Sequence, residues 1–266
     1  DEWITARSGI RSRHVDGRVT EMSTVAGREA MAMAGVTPDR VDLLLLATTT
    51  PDQQFPASAS VVQHNLGLTC GAVDMNAVCS GFVYGLVTAM QFINGGVERI
   101  LLIGSDALSS IIDWEDRNTC VLFGDGAGAA VMQRRKGARG VLATRLGSDG
   151  TKADILAMPG GGSRRPATVD SVNERIHFLK MEGKEVFKAA VNAMTGAAKD
   201  VLERSGVGIE DIKCIIPHQA NQRIISAIGE RLGAREDQVF VNLQKYGNTS
   251  AASVAVALDE ALQSGK

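Results

Sequence analysis

Long apolar runs, aromatic side chains, paired cysteines and excess charge are all scarce in this chain, and each shortage excludes something. No purely apolar run exceeds the five residues of Leu43–Ala47, far below the ~20 that cross a bilayer as a helix. Lys and Arg number 28 against 30 Asp and Glu, a net charge of −2. That balance gives no broad electrostatic reason to bind nucleic acid or an anionic membrane. The four cysteines, Cys70, Cys79, Cys120 and Cys214, form no CxxC pair and share no metal-ligand spacing with the four histidines. Neither a disulfide framework nor a metal site is therefore expected. Aromatics make up 4% of the chain while glycine reaches 29 residues, which favours tight turns and close backbone packing. The chain opens in Asp1-Glu2-Trp3-Ile4, without Met and without an apolar signal segment. A length of 266 residues has room for one large domain or two fused smaller ones. The expectation is a reduced, soluble, cytoplasmic α/β protein.

What is present is an alternation of short apolar runs and helical patterns. Val41–Thr48, Ala72–Met75, Arg99–Ser105, Ala127–Gln133 and Ile212–Pro217 read as short buried strands. Met22–Ala34, Ser58–Leu66, Gly81–Asn94, Glu185–Ser205, Gln222–Leu232 and Ser250–Gln263 carry apolar residues at helical spacing. Such alternation predicts mainly parallel sheets covered by helices. Met158–Asn173 is the least regular stretch, a surface lid or a plain connection. The pattern also repeats. Ala34-Gly-Val-Thr-Pro-Asp-Arg-Val-Asp-Leu-Leu-Leu aligns with Ser205-Gly-Val-Gly-Ile-Glu-Asp-Ile-Lys-Cys-Ile-Ile. Each follows a long helix and leads into a strand, a loop, a second helix and a Leu-Gly stop, at Leu66-Gly67 and Leu232-Gly233. A further strand (Ala72–Met75, Gln238–Asn242) then runs into a small-residue helix start at Cys79-Ser80-Gly81 or Asn248-Thr249-Ser250. Six features in the same order argue for a duplicated half, with residues 1–140 carrying one copy and 141–266 the other.

The duplication places Cys79, His218 and Asn248 at equivalent strand-to-helix junctions, where parallel α/β sheets bind ligands. A thiol at a helix N-terminus sees partial positive charge, which favours the thiolate. Each residue also has a plain reading: a buried inert Cys, a structural His, a helix N-cap Asn. The constellation outweighs these readings. Cys70, Cys120 and Cys214 read as structural residues in a loop and two strands, and His177 as alternating along a strand. Cys, His and Asn together suit thioester chemistry, with a Cys nucleophile and two neutral donors holding a second thioester as it becomes an enolate. No carboxylate base sits at these junctions, and decarboxylating a malonyl group needs none. Phe123-Gly124-Asp125-Gly126-Ala127-Gly128 leads into a strand and lacks the Lys-Ser/Thr of a phosphate loop, so nucleotide binding there is rejected.

Three strings carry a resemblance: Asn76-Ala-Val-Cys-Ser-Gly-Phe82, Pro217-His-Gln-Ala-Asn-Gln-Arg223 and Gly247-Asn-Thr-Ser-Ala-Ala-Ser253. Together with Asp1-Glu2-Trp3-Ile4, Arg7-Ser8-Gly9-Ile10 and Phe123–Ala129, they resemble β-ketoacyl-acyl-carrier-protein synthase III along essentially the whole chain. The resemblance implies a thiolase-like α/β fold, with duplicated βαβαβ halves in a layered αβαβα arrangement, normally a homodimer. It implies that Cys79 takes an acyl group from acyl-CoA. Malonyl on acyl carrier protein then loses CO2, its enolate held by His218 and Asn248, and attacks the Cys79 thioester. No cofactor is implied. Trp3 and Arg117 match the pair flanking the CoA adenine, and Arg7 a contact to the CoA phosphate end. Arg223 matches the main carrier-protein contact, with Lys188 and Arg231 as helpers and Glu230 interrupting the patch. Phe55, Met181 and Phe187 are candidates for the acyl pocket, Phe55 reaching that of a neighbouring subunit.

Other readings remain open at this point: an acyltransferase or a polyketide-priming ketosynthase on the same scaffold, or a non-catalytic subunit. Intact Cys79, His218 and Asn248 argue against the last. Set against the family, the chain is tens of residues short. A first strand would precede Asp1, and final strands with a Gly-rich oxyanion segment would follow Lys266. The expectation is a piece of an active enzyme, poorly stable or inactive alone.

Overall fold

Four consecutive leucines make a strand here because both faces of it are covered. The computed structural model describes residues 2–137 and 140–266, so Asp1 of the opening string lies outside the described residues. Its main sheet has strands β1 (Leu43–Ala47), β2 (Gly71–Met75), β3 (Arg99–Ala107) and β4 (Asp125–Gln133), in the order β2-β1-β3-β4. β1 runs parallel to both neighbours, while β4 closes on β3 antiparallel. The helices are α1 (Glu2–Ser8), α2 (Val19–Ala34), α3 (Ser58–Asn65), α4 (Gly81–Asn94), α5 (Val169–Asn173), α6 (Gly183–Ser205), α7 (Gln222–Leu232), α8 (Leu243–Tyr246) and α9 (Ala252–Gln263). A two-stranded ribbon pairs β5 (Leu156–Ala157) with β6 (Lys180–Met181).

Alternate strand residues point to opposite layers. Leu44, Leu46, Leu101 and Ile103 pack against Val19 and Met31 of α2 and Ala59 and Val62 of α3. Leu45, Ile100 and Leu102 face Phe82 and Ala89 of α4 and Ala255 of α9. The last helix of the second half thus lies beside α4 on the sheet of the first half. Among the described residues, no helix is long and apolar enough to cross a membrane.

Two helix starts differ from the periodicity for reasons that sequence spacing does not carry. α2 begins at Val19 because the Asp52 carboxylate accepts from Val19 N (2.8 Å) and Thr20 N (3.3 Å), capping the helix from across the fold. α9 begins only at Ala252 because Ser250 takes a left-handed backbone, φ 47°.

The repeat is visible in the helix stops. Gly35 and Gly206 end α2 and α6 with φ of 63° and 67°, and Gly67 and Gly233 follow α3 and α7 at 69° each. The second half's expected strands are a correction. Ile212–Pro217 and Gln238–Asn242 run side by side but meet only in a parallel bridge, Ile215 to Val239. Two bonds close it, Ile215 N to Gln238 O (2.7 Å) and Phe240 N to Ile215 O (2.9 Å). Pro217 has no N–H to extend the ladder, and no further segment pairs with either edge among the described residues. Cys120 likewise lies in a turn before β4 rather than in a strand, and His177 in a turn after α5 with its ring 4.0 Å from Phe178. All four cysteines are free.

Candidate active site

Cys79 sits in a single 3₁₀ turn, Val78–Ser80, between the end of β2 and the first residue of α4. Val78 ahead of it is held at φ 48°, a conformation a β-branched residue rarely takes. Asn76 supports the turn by accepting from Val78 N at 3.1 Å. Gly81 is required by close approach: a Cβ there would lie 3.0 Å from Ala47 Cβ and 3.1 Å from Ala251 Cβ. On β3, a Cβ on Gly104 would lie 2.4 Å from Ala251 O. These two glycines let the segment Asn248–Ser253 descend onto the first half.

That segment is the hub of the site. Asn248 is anchored by Asn248 N to Leu122 O (2.9 Å) and Gly124 N to Asn248 O (3.0 Å). Its Oδ1 accepts from Ser250 N at 2.9 Å, so its free side-chain group is the donating Nδ2. The Ser250 hydroxyl reaches Cys79 Sγ at 3.6 Å. Two residues into α9's N-terminal turn, Ser253 Oγ lies 2.6 Å from His218 Nδ1. The same Oγ accepts from Gln219 N at 3.4 Å, which holds Ser253 between the imidazole and the backbone of the histidine loop. Gln219 fixes the histidine loop. Its Nε2 donates to Pro217 O (2.8 Å) and Phe240 O (3.3 Å), and its Oε1 accepts from Asn242 N (3.0 Å).

Burial pushes His218 down to about 4, so the imidazole is neutral at physiological pH and has one N–H to donate. The thiol is a correction to the helix-terminus argument. Burial, together with the negative Asp106 nearby, pushes Cys79 up to about 11, and the Ser250 hydrogen bond offsets this only in part. Desolvation disfavours the charged form of the sulfur and so opposes the effect of the helix terminus. The segment Asn248–Ser253 thus touches Cys79 through Ser250 and His218 through Ser253.

The remaining candidates divide. Arg7 and Arg117 both lie over the half-exposed Trp3 ring, at 4.7 and 5.4 Å from its centroid, so Arg117 joins two residues of α1 in one cluster. Arg223, Lys188 and Arg231 are exposed on neighbouring faces of α6 and α7. Lys188 pairs with Glu185 (2.8 Å) and Arg231 with Asn192 (2.6 Å). Met181, Phe187 and Phe55 are not brought into one wall. Met181 packs with Leu108 and Ile112, Phe187 with Val191, Ile224 and Ile228 under the Arg223 guanidinium, and Phe55 stands 85% exposed.

Spacing alone passed over Asp106, Ser250, Ser253 and Gln219. The last three lie within the strings already singled out. Asp106 had a signal of its own, a carboxylate closing the otherwise apolar run of β3.

Residues 73–150 match the family 3-oxoacyl-[acyl-carrier-protein (ACP)] synthase III, and residues 202–266 match its C-terminal part. The chain is 51% identical over 270 residues to a beta-ketoacyl-[acyl-carrier-protein] synthase III of Caldanaerobacter subterraneus subsp. tengcongensis, spanning 100% of this chain and 82% of that one. The crystal structure of 3-oxoacyl-[acyl-carrier-protein] synthase III from Aquifex aeolicus superimposes with a TM-score of 0.92 at 44% identity, covering 100% of this chain and 82% of that one. For the enzyme of the same name from Pseudomonas aeruginosa the TM-score is 0.90 at 37% identity, with coverage of 100% and 81%.

Proposed function

The chain belongs to the β-ketoacyl-[acyl-carrier-protein] synthase III family, whose thiolase-like α/β fold it has, and on that premise we propose how its own residues perform the initiating condensation of fatty-acid synthesis. Cys79 attacks the carbonyl of an acyl-CoA, and the CoA thiol leaves. Malonyl-acyl-carrier-protein then binds, His218 Nε2–H and Asn248 Nδ2–H hold its thioester oxygen, and CO2 departs as the enolate forms. The enolate carbon attacks the Cys79 thioester and returns the cysteine with release of 3-oxoacyl carrier protein. A single observation carries this reading. The segment Asn248–Ser253 supplies one donor itself, touches the nucleophile through Ser250 at 3.6 Å, and sets the second donor through Ser253 at 2.6 Å.

Neutral donors suit this task. A developing enolate is stabilised by preorganised N–H groups in a site that excludes water, and a histidine held neutral has a hydrogen to donate without a charge to desolvate. Trp3, Arg7 and Arg117 would receive the adenine and phosphate end of CoA. Arg223, with Lys188 and Arg231, would receive the acidic carrier protein. The acyl pocket, with Phe55 contributed to a partner subunit of a homodimer, belongs to the same proposal, as does a cytoplasmic location. The reaction so written consumes two substrates and calls for no cofactor and no metal.

The test is sequential. Incubation with acetyl-CoA should add one acetyl group at Cys79, read by intact-protein and peptide mass spectrometry, and Cys79→Ala should abolish it. Addition of malonyl-acyl-carrier-protein should then release CO2 and 3-oxobutyryl carrier protein. An adduct that forms but never condenses would replace this reading with simple acyl transfer.

A further inference from the structure

Asn248 supplies one of the two enolate donors, and its backbone hangs on two bonds to the first half. Its N–H donates to Leu122 O at 2.9 Å, and its carbonyl accepts from Gly124 N at 3.0 Å. These bonds bracket Phe123 in an isolated parallel bridge. Its side chain is fixed to the same backbone, because Oδ1 accepts from Ser250 N at 2.9 Å. Any shift of the bridge therefore carries the Nδ2 donor with it, and the placing of that donor depends on what holds the turn ahead of β4.

Arg13 holds it. Its Nη1 donates to Phe123 O at 3.0 Å and to Cys120 O. Phe123 O and Gly124 N belong to one planar peptide unit, so the guanidinium fixes one end of the group whose other end donates to Asn248 O. Donation to the oxygen also polarises the N–H and strengthens the bond it makes. The stem of Arg13 runs between the two segments that the bridge joins. A Cβ on Gly124 would lie 3.2 Å from Arg13 Cβ, and one on Gly247, the residue before Asn248, 2.8 Å from Arg13 Cγ. The backbone around Arg13 is tied to both halves: Arg11 N and Ser12 N donate to Gln244 O at 3.0 and 3.1 Å, and Asp125 N to His14 O at 2.9 Å. Burial opposes the charge of this guanidinium, and among the described residues no carboxylate pairs with it. Its neighbours are the two carbonyls and the Trp114 ring, 5.9 Å away at the centroid. A partly buried cation without a counter-ion disfavours folding, so ion pairing does not account for Arg13.

We propose that Arg13 is a positioning residue for the condensation: through the Phe123–Gly124 peptide it sets where Asn248 presents its Nδ2 donor to the enolate oxygen. The inference rests on the reading of Asn248 as an enolate donor. Such a donor has to stand within about 0.5 Å of its productive place, and a one-residue bridge does not hold a segment that closely without support. Cys79 stands on a different element, the turn Val78–Ser80 ahead of α4, to which the Arg13 guanidinium makes no hydrogen bond. Loss of Arg13 therefore bears on condensation and spares acylation of the cysteine.

The experiment compares the two half-reactions on the full chain. Acetylation of Cys79 by acetyl-CoA is followed by mass spectrometry, and condensation by CO2 release from malonyl-acyl-carrier-protein. Arg13→Met keeps the stem and removes both donations. It should slow condensation by about 10- to 100-fold and leave the acetylation rate within about threefold of wild type. Arg13→Lys, a point charge with one nitrogen, should recover part of the loss, and it serves as the second variant where Arg13→Met fails to fold. In an Asn248→Ala background the same change at Arg13 should alter condensation by less than about threefold, because the donor it positions is gone. Equal loss of both half-reactions, or an undiminished loss in the Asn248→Ala background, overturns the proposal. A second readout needs no turnover. The side-chain NH2 signal of Asn248, assigned in 15N spectra by its absence from Asn248→Ala, should shift in Arg13→Met, and a signal that stays in place also overturns the proposal. A shifted signal in a chain whose wild type never condenses would uphold the positioning and overturn the reading of function instead.

Discussion

At the scale of single residues, protonation decides what the site can do. His218 is held at about 4 by burial, against an unperturbed value near 6.5. The folded-state value lies below the unfolded one, so the unfolded chain binds the extra proton first as pH falls. Stability attributable to this residue is complete above about pH 6.5 and is lost progressively down to about pH 4, amounting to roughly 3 kcal/mol. Urea unfolding at several pH values should show that loss in the wild type and a flatter profile in His218→Gln. Ser253 makes the second residue-scale prediction. Its hydroxyl holds His218 Nδ1 at 2.6 Å, and without it the ring is free to turn its other nitrogen away from the enolate. Ser253→Ala should slow condensation by about 100-fold while acetylation of Cys79 by acetyl-CoA continues. Equal loss of both steps would separate Ser253 from the role assigned to it.

At the scale of elements, glycines set how closely the two halves meet. The segment before α9 carries Asn248, Ser250 and Ser253, and it lies on β3 because Gly104 has no side chain. A methyl group placed there would stand 2.4 Å from Ala251 O, so the segment would have to lift. Gly104→Ala should cost about 1–3 kcal/mol in denaturant unfolding and should lower condensation out of proportion to that loss, since Ser250 and Ser253 move with the segment. Much of the element structure was legible in the sequence. The continuous apolar runs at Leu43–Ala47 and Ile100–Ile103 needed helices on both faces, and α2 with α3 on one side and α4 with α9 on the other supply them. The second half's strands were legible only in part. Ile215 and Val239 do pair in the parallel sense, as Leu45 and Val73 do in the first half. A strand, however, is a property of its neighbours as much as of its residues, and one bridge is not a sheet.

At the scale of the whole molecule, the net charge of −2 hides a local arrangement of opposite sign. Arg223, Lys188 and Arg231 lie on the exposed faces of α6 and α7, while Arg7 and Arg117 gather over Trp3. Docking of an acidic carrier depends on such a patch and weakens with salt. Arg223→Glu should raise the KM for malonyl-acyl-carrier-protein by about tenfold or more and leave the rate of Cys79 acetylation by acetyl-CoA unchanged. A fall in acetylation would place Arg223 at the CoA entrance instead.

The sequence by itself determined the first-half strands covered on both faces and singled out the strings that carry Cys79, His218 and Asn248. All of these follow from local periodicity and turn chemistry, which are written residue by residue along the chain. The tertiary structure alone decided the proton affinity of two of those residues, pushing the Cys79 thiol up to about 11 and the His218 imidazole down to about 4. It also brought Ser250 to Cys79 across 171 residues of sequence and Ala251 to Asp106 across 145. The physical reason is that proton affinity depends on desolvation and on the hydrogen-bond partners a group meets. Both come into being only when segments distant in the chain close around it.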